Sequence, residues 1–268
     1  MRQRSACARL LASVAVTAIL AAGLGGCQTM SDITGSISPK PTASTESDPH
    51  HTVEVTGERY RAEPKNAEAA LAYGQALRAA GQRSQAAAML EQATIANPGD
   101  KALLAAYGRA LVDNGNFQQA LDVLSRAHSP ENPDWRLLSV QGTALDQLGR
   151  HEEARRYYAS ALKIVPDEPA VLSNLGLSYM LSKNLPKAEE VLRQAYASGR
   201  ADGRVRQNLA LVIGLQGRFA EAEQIVRADL PPEEAAANVA YLKQMLSRKD
   251  DPRTGSAGKL PIAALRPE

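Results

Sequence analysis

Residues 67–98 read AEAALAYGQALRAAGQRSQAAAMLEQATIANP, and the rest of the chain is built on this pattern. Before Gly81, apolar or small residues recur at i, i+3, i+4 and i+7, and a second apolar stripe follows it through Ala86. Glycine suits the left-handed end of a helix, whereas Pro98 cannot extend one. The stretch therefore predicts two short antiparallel helices joined by a tight turn.

The pattern recurs every 34 residues, with small residues in two columns. The first column holds Gly74, Gly108, Gly142, Gly176 and Ala210, and the second holds Ala86, Ala120, Ala154, Ala188 and Ala222. A missing or minimal side chain at both positions lets the two helices approach closely. No single helix pair can bury its apolar stripe, so neighbouring pairs must stack. The sequence predicts an all-α solenoid of about five helix-pair repeats.

The repeats are predicted over residues 63–231, followed by a capping helix over 232–248. In this helix Val239, Leu242, Met245 and Leu246 form one apolar stripe, which suits a lid on the last repeat. The last repeat departs most from the pattern, in its second helix and its exit. Residues 249–268 are rich in glycine and proline and are expected to be disordered.

The N-terminus has the pattern of an export signal. Residues 1–26 combine a basic start with an apolar run of about 15 residues, which is short for a membrane span. The sequence Leu-Gly-Gly-Cys that ends at Cys27 resembles the bacterial lipobox, whose cysteine is lipidated and becomes the first mature residue. We expect lipidation of Cys27. The alternative is an ordinary cleaved signal followed by an unpaired cysteine.

Cys27 and the segment up to residue 62 are interpreted as an anchor followed by a flexible tether. The segment is rich in serine, threonine and proline and lacks helical periodicity. His50 and His51 are adjacent, but no third ligand lies at a useful spacing, so no metal site is predicted.

Charge and motifs exclude several function classes. The formal net charge is +2, and Arg2, Arg4 and Arg9 account for three positive charges within the export signal, so nucleic-acid binding has no electrostatic support. No nucleophile elbow, phosphate-binding loop or acid/base constellation is present. The sequence therefore predicts no enzyme, no cofactor and no small-molecule substrate, but a protein-binding module.

The candidate binding surface lies on the first helices of repeats 4 and 5, opposite the core stripe. It combines amides and an arginine with apolar side chains that the core does not require. Its members are Asn174, Leu177, Met180, Leu181, Arg204, Gln207, Asn208, Leu211 and Leu215. Such a surface suits an amphipathic helix or an extended peptide, whose backbone the asparagines could bind. The alternative is that the capping helix folds over these leucines.

The repeat resembles the tetratricopeptide repeat. That family has a small residue at position 8, alanine at positions 20 and 27, large apolar residues at 11 and 24, and proline near 32. Here position 27 is occupied by Ala93, Ala127, Ala161 and Ala195. Asparagine on the first helix also resembles the backbone-binding asparagines of peptide-binding members.

Two stretches, NLGLSYMLSKNLPKAEEVLRQAY (174–196) and GRVRQNLALVIGLQGRFAEAEQIVRADLPPEEAAANVAYLKQML (203–246), resemble the TadD-type lipoproteins of the tight-adherence (Flp) pilus system. The resemblance implies a protein anchored by lipid to the periplasmic face of the outer membrane, where it assists assembly of the pilus secretion machinery, in particular its secretin. The alternatives are a general scaffold for outer-membrane protein insertion or cell-wall synthesis, an unrecognised envelope enzyme, and a cytoplasmic regulator.

Overall fold

The computed structural model describes residues 49–129 and 131–249, with side chains up to Ser247. The predicted export signal and Cys27 lie outside these residues, as do the predicted tether up to residue 48 and the predicted tail from residue 250. The described residues form twelve helices: α1 Pro49–Ala62, α2 Ala67–Ala79, α3 Arg83–Ala96, α4 Lys101–Asp113, α5 Phe117–Ala127, α6 Trp135–Gln147, α7 His151–Ile164, α8 Pro169–Leu181, α9 Leu185–Ala197, α10 Gly203–Leu215, α11 Phe219–Val226 and α12 Pro232–Lys249. The predicted all-α fold is confirmed.

The helices form two layers. The first helices of the five repeats are α2, α4, α6, α8 and α10, and each packs against the next as well as against the second helices beside it. Neighbouring second helices have no comparable packing within the two described ranges. The first helices therefore form the tighter layer. We call its outward surface the first-helix face, the side on which repeat solenoids present a concave binding surface.

The glycine column allows close contact within each pair, but its partner is not the alanine column. A Cβ atom added at Gly108 would lie 2.5 Å from Leu124, and one at Gly142 would lie 2.5 Å from the ring of Tyr158. Each glycine thus makes room for the large side chain sixteen residues later. The alanine column is nevertheless fully enclosed, at 0 or 1% exposure, because its methyl groups face the centre of the stack.

The turn between the two helices has the same backbone shape whether or not glycine is present. Gly81, Gly115, Gly149 and Gly217 have φ between 72° and 86°. Lys183 occupies the equivalent turn of repeat 4 and adopts φ 63°. Such a conformation disfavours most side chains. The packing of the fourth repeat therefore fixes this turn without the residue best suited to it.

Helix α1 corrects the tether prediction for residues 49–62. It begins and ends 34 residues before α3, so it occupies the place of a second helix in an incomplete repeat that precedes the five. Tyr60 stacks on Tyr73 of α2 with ring centroids 5.7 Å apart, and Val53 also packs on the core. This segment is therefore part of the stack.

The sequence of α1 does not predict that it is helical. Thr52 and Thr56 stand where the repeat places Ala86 and Leu90, so the repeat pattern is absent. Threonine and valine are also weaker helix formers than alanine or leucine. Packing on α2 overrides this weak local preference.

Helices α11 and α12 end the stack. Helix α11 has eight residues, whereas the second helix of repeat 4 has thirteen, in line with the departures from the pattern in repeat 5. Helix α12 lies where the sequence predicts a capping helix and packs against both α10 and α11. Its Ala235 is completely buried, and Val239 packs against the same core cluster.

Candidate functional site

The predicted surface residues come from two adjacent first helices. Asn174, Leu177, Met180 and Leu181 lie on α8, and Arg204, Gln207, Asn208, Leu211 and Leu215 lie on α10. All except Arg204 are partly buried. The Arg204 guanidinium is exposed and pairs with Asp202 at 3.0 Å. Eight of the nine are thus partly buried residues of α8 and α10, and Arg204 is exposed.

The two asparagines belong to an inter-repeat hydrogen-bond ladder. Asn174 Nδ2 donates to Ser139 Oγ at 3.0 Å, and Asn208 Nδ2 donates to Ser173 Oγ at 2.9 Å. In each case an asparagine bonds to a serine 35 residues earlier, on the preceding first helix. This bond fixes the orientation of the side-chain amide. It leaves the amide oxygen and one N–H available to a peptide backbone.

The apolar members divide into two groups. Met180 packs against the core cluster that contains Leu209 and Ile213, so it belongs to the edge of the core. Four leucines are partly buried but pack into none of the core clusters of the described residues: Leu177, Leu181, Leu211 and Leu215. These four leucines form the apolar part of the candidate surface.

The position of α12 bears on whether this surface is covered. Helix α12 packs against α10 as α10 packs against α8, and Leu242 lies over Gly214 at the far edge of α10. Within the described part of the chain, α12 has no comparable packing against α8. Helix α12 therefore extends the layer of first helices sideways. This geometry favours an open surface on α8 over the covered alternative.

A buried polar cluster joins repeats 3 and 4 beneath this surface. Asp146 of α6, 7% exposed, accepts hydrogen bonds from Tyr158 Oη at 2.9 Å and from Ser178 Oγ at 2.8 Å. His151 Nδ1 lies 2.9 Å from the same carboxylate. Burial and the nearby Asp146 charge raise the pKa of Tyr158 well above its ordinary value. Because Ser178 lies on α8, the cluster fixes the helix that carries half of the candidate surface.

Sequence reasoning missed this cluster, although it left a signal. Tyr158 replaces the leucine that Leu90, Leu124 and Leu192 supply at the same repeat position. A buried phenol requires a hydrogen-bond partner. The substitution therefore pointed to a polar residue nearby.

The first-helix face of repeats 1 to 3 is charged rather than apolar. Arg78 Nε donates to Asp113 Oδ2 at 2.6 Å, beside a cleft of about 160 Å³. Arg109 lines the same cleft, and burial lowers the pKa of its guanidinium, with Arg78 and Arg136 contributing to the decrease. The two halves of the face thus differ in character.

The described ranges hold no group of three or more histidine, cysteine, aspartate or glutamate side chains placed to bind a metal ion. A membrane-spanning helix, which would need to be longer and more apolar, is likewise not found there.

Three family models, each described as a tetratricopeptide repeat, match residues 77–139, 139–203 and 203–228. Together they cover the stack from the last turn of α2 to the end of α11. No curated protein matches the sequence.

Several solved structures have a similar fold. PilW, described as a widely conserved type IV pilus biogenesis factor, has a TM-score of 0.62 and 18% identity over 72% of this chain and 91% of that one. Pseudomonas aeruginosa pilF has a TM-score of 0.53 and 18% identity over 68% and 92%.

The Cut9–Hcn1 assembly of the APC/C has a TM-score of 0.61 and 16% identity over 75% of this chain but 40% of that one. Identities this low establish the fold alone. Tetratricopeptide scaffolds are typically non-enzymatic, and their repeats suggest protein partners. Helix order, the two small-residue columns and the three family matches agree that the chain belongs to the tetratricopeptide-repeat family.

Proposed function

We propose that the chain is a scaffold that binds a segment of a partner protein across α8 and α10. The observation that carries this proposal is the set of four leucines that lie outside the core beside two oriented asparagines. The leucines would take the apolar side of an amphipathic helix or extended peptide. Asn174 and Asn208 would bond its backbone.

We further propose that a lipid on Cys27 holds the scaffold at the periplasmic face of the outer membrane. The lipobox-like Leu-Gly-Gly-Cys supports the anchor, and Gln28, rather than aspartate, after the cysteine supports sorting to the outer membrane. Two or three acyl chains anchor far more firmly than one. Anchoring also raises the effective concentration of a membrane-bound partner, so a weak site suffices.

The partner proposed is a component of the tight-adherence pilus machinery, in particular its secretin. Support comes from the TadD-like stretches over 174–196 and 203–246. PilW, described as a pilus biogenesis factor, supplies a similar fold. A general scaffold for outer-membrane protein insertion or wall synthesis uses the same surface, so identification of the bound protein decides between them.

A photo-crosslinking residue at Leu211 is expected to trap this partner in living cells. Leu211 is one of the four leucines outside the core. The same residue at Glu153, on second helix α7, serves as the control. Secretin trapped from position 211 alone supports the surface and the partner. Barrel-assembly or wall-synthesis proteins would replace the pilus assignment, and trapping of α12 alone would show that the surface is covered.

Replacing Cys27 with alanine tests the anchor separately. We expect the variant to lose palmitate labelling completely and to leave the outer-membrane fraction, because Cys27 is the only cysteine that ends a lipobox-like sequence. Cys7→Ala is the matched control and should label normally. Unchanged labelling of the Cys27→Ala protein would refute the lipoprotein proposal.

A further inference from the structure

Helix α5 is shorter than the second helices of the repeats on either side of it, and a cleft lies beyond its C-terminal end. It has 11 residues, whereas α3 and α7 have 14 each. Just past its end, Ser129 and Asn132 pair in an isolated antiparallel bridge. A cleft of about 480 Å³ lies here between α5, α6 and α7.

The floor of this cleft is polar where other repeats are apolar. Gln141 occupies the position that holds Tyr73, Tyr107, Leu175 and Leu209 in the other four repeats. Its side chain is 3% exposed, and its Oε1 lies 3.1 Å from His128 Nε2. Gln141 Nε2 makes no hydrogen bond to another described residue. The buried side-chain atom without a partner among those residues is His128 Nδ1, which lines the same cleft. Because Gln141 lines the cleft, this amide is a donor that a bound acceptor can reach.

The walls are apolar and the rim is basic. Leu138, Tyr157 and Ile164 line the cleft, and Ile164 is 41% exposed although it is a large aliphatic side chain. Lys163 lies at the rim, and no carboxylate is among the lining residues. A ligand therefore meets apolar walls, a buried amide donor and a positive charge. These features complement a large apolar side chain next to a carboxylate.

We propose that this cleft binds a short acidic and hydrophobic segment of a partner protein, independently of the α8/α10 surface. The cleft admits one or two large side chains between Leu138 and Ile164. A neighbouring aspartate or glutamate pairs with Lys163, while Gln141 donates to an oxygen of the segment. The scaffold thus has a second contact, formed by α5, α6 and α7, through which it can hold two proteins at once.

An array of N-acetylated hexapeptides tests the proposal. Each peptide carries one leucine, isoleucine or phenylalanine flanked by aspartate or glutamate, and a matched array carries asparagine and glutamine instead. We expect the purified full chain to bind acidic peptides at least fivefold more strongly than the neutral ones. Trp135, the single tryptophan, lies one turn before Leu138 and should report titration of a selected peptide by its fluorescence.

Two variants connect the binding to the cleft. Lys163→Glu should weaken binding about tenfold, whereas Lys65→Glu, an exposed lysine elsewhere, should not change it. Gln141→Leu gives this position the leucine that repeats 4 and 5 have there and should fold normally, yet bind at least threefold more weakly. Equal binding of the two arrays, no binding, or unchanged binding by Lys163→Glu would overturn the proposal. The proposal would also be overturned if the chain dimerised and Lys163→Glu abolished the dimer, because the cleft would then bind a second copy of the chain. Failure of the crosslinking at Leu211 would count against the α8/α10 surface but not against this cleft.

Discussion

Replacing Asp146 with alanine should lower the free energy of unfolding by about 4 kcal/mol. The carboxylate is 7% exposed and accepts bonds from Tyr158 Oη and Ser178 Oγ at 2.9 and 2.8 Å. Its removal leaves both hydroxyls and His151 Nδ1 without this partner inside the stack. A buried unsatisfied donor costs roughly 1–3 kcal/mol, which sets the expected size. Urea denaturation followed by circular dichroism measures the effect.

Asp113→Ala is the matched control for this prediction. Asp113 also lies on a first helix and pairs with Arg78 at 2.6 Å, but its side chain is 36% exposed. Exposed ion pairs contribute about 0–1 kcal/mol, so this variant should lose less than about 1 kcal/mol. A double-mutant cycle between Asp146→Ala and Ser178→Ala should show coupling, because their bond joins repeats 3 and 4. Equal losses for the two aspartate variants would contradict the assigned role of Asp146.

The sequence predicts the stack because its strongest signals are local and repeated. The small-residue columns and turn glycines recur at one spacing, and each has a steric cause that holds in every unit. The fourth repeat keeps both column residues although Lys183 replaces its turn glycine. The packing around Lys183 imposes the left-handed turn there. Helix α1 was not predicted because Thr52 and Thr56 replace the small and large residues of the repeat. Its helical state depends on contacts with Tyr73, which local sequence does not encode.

Part of the candidate surface could also be predicted from the sequence. The leucines outside the core stripe follow from helical periodicity, and they lie on α8 and α10 as predicted. The ladder from Asn174 to Ser139 was missed, since it joins neighbouring repeats and depends on side-chain geometry. The cleft beside Gln141 was missed because a glutamine in an apolar column looks like a tolerated exception. That Gln141 lines a cleft becomes evident only from the early end of α5 in the structure.

Gly142→Ala is expected to destabilise the protein by about 3 kcal/mol, more than the same change at other column glycines. The added Cβ would lie 2.5 Å from Cε1 and 2.7 Å from Cζ of Tyr158. That ring is 1% exposed and its hydroxyl is bonded to Asp146 at 2.9 Å, so it cannot move aside without breaking the bond. The gain of about 1 kcal/mol in helix propensity does not offset this clash.

Two further glycines calibrate the effect of Gly142→Ala in the same urea denaturation experiment. A Cβ at Gly108 would also lie 2.5 Å from its neighbour, Leu124, but a leucine can change rotamer and makes no hydrogen bond. We therefore expect Gly108→Ala to lose about half as much stability. At Gly203 the nearest atom would lie 3.5 Å away, which is an ordinary contact, so alanine there should be neutral or slightly stabilising. A Gly142→Ala variant as stable as Gly203→Ala would mean that the Tyr158 ring can yield. The hydrogen bond to Asp146 would then not hold the ring in place. The loss of unfolding free energy expected for Asp146→Ala would also have to be smaller.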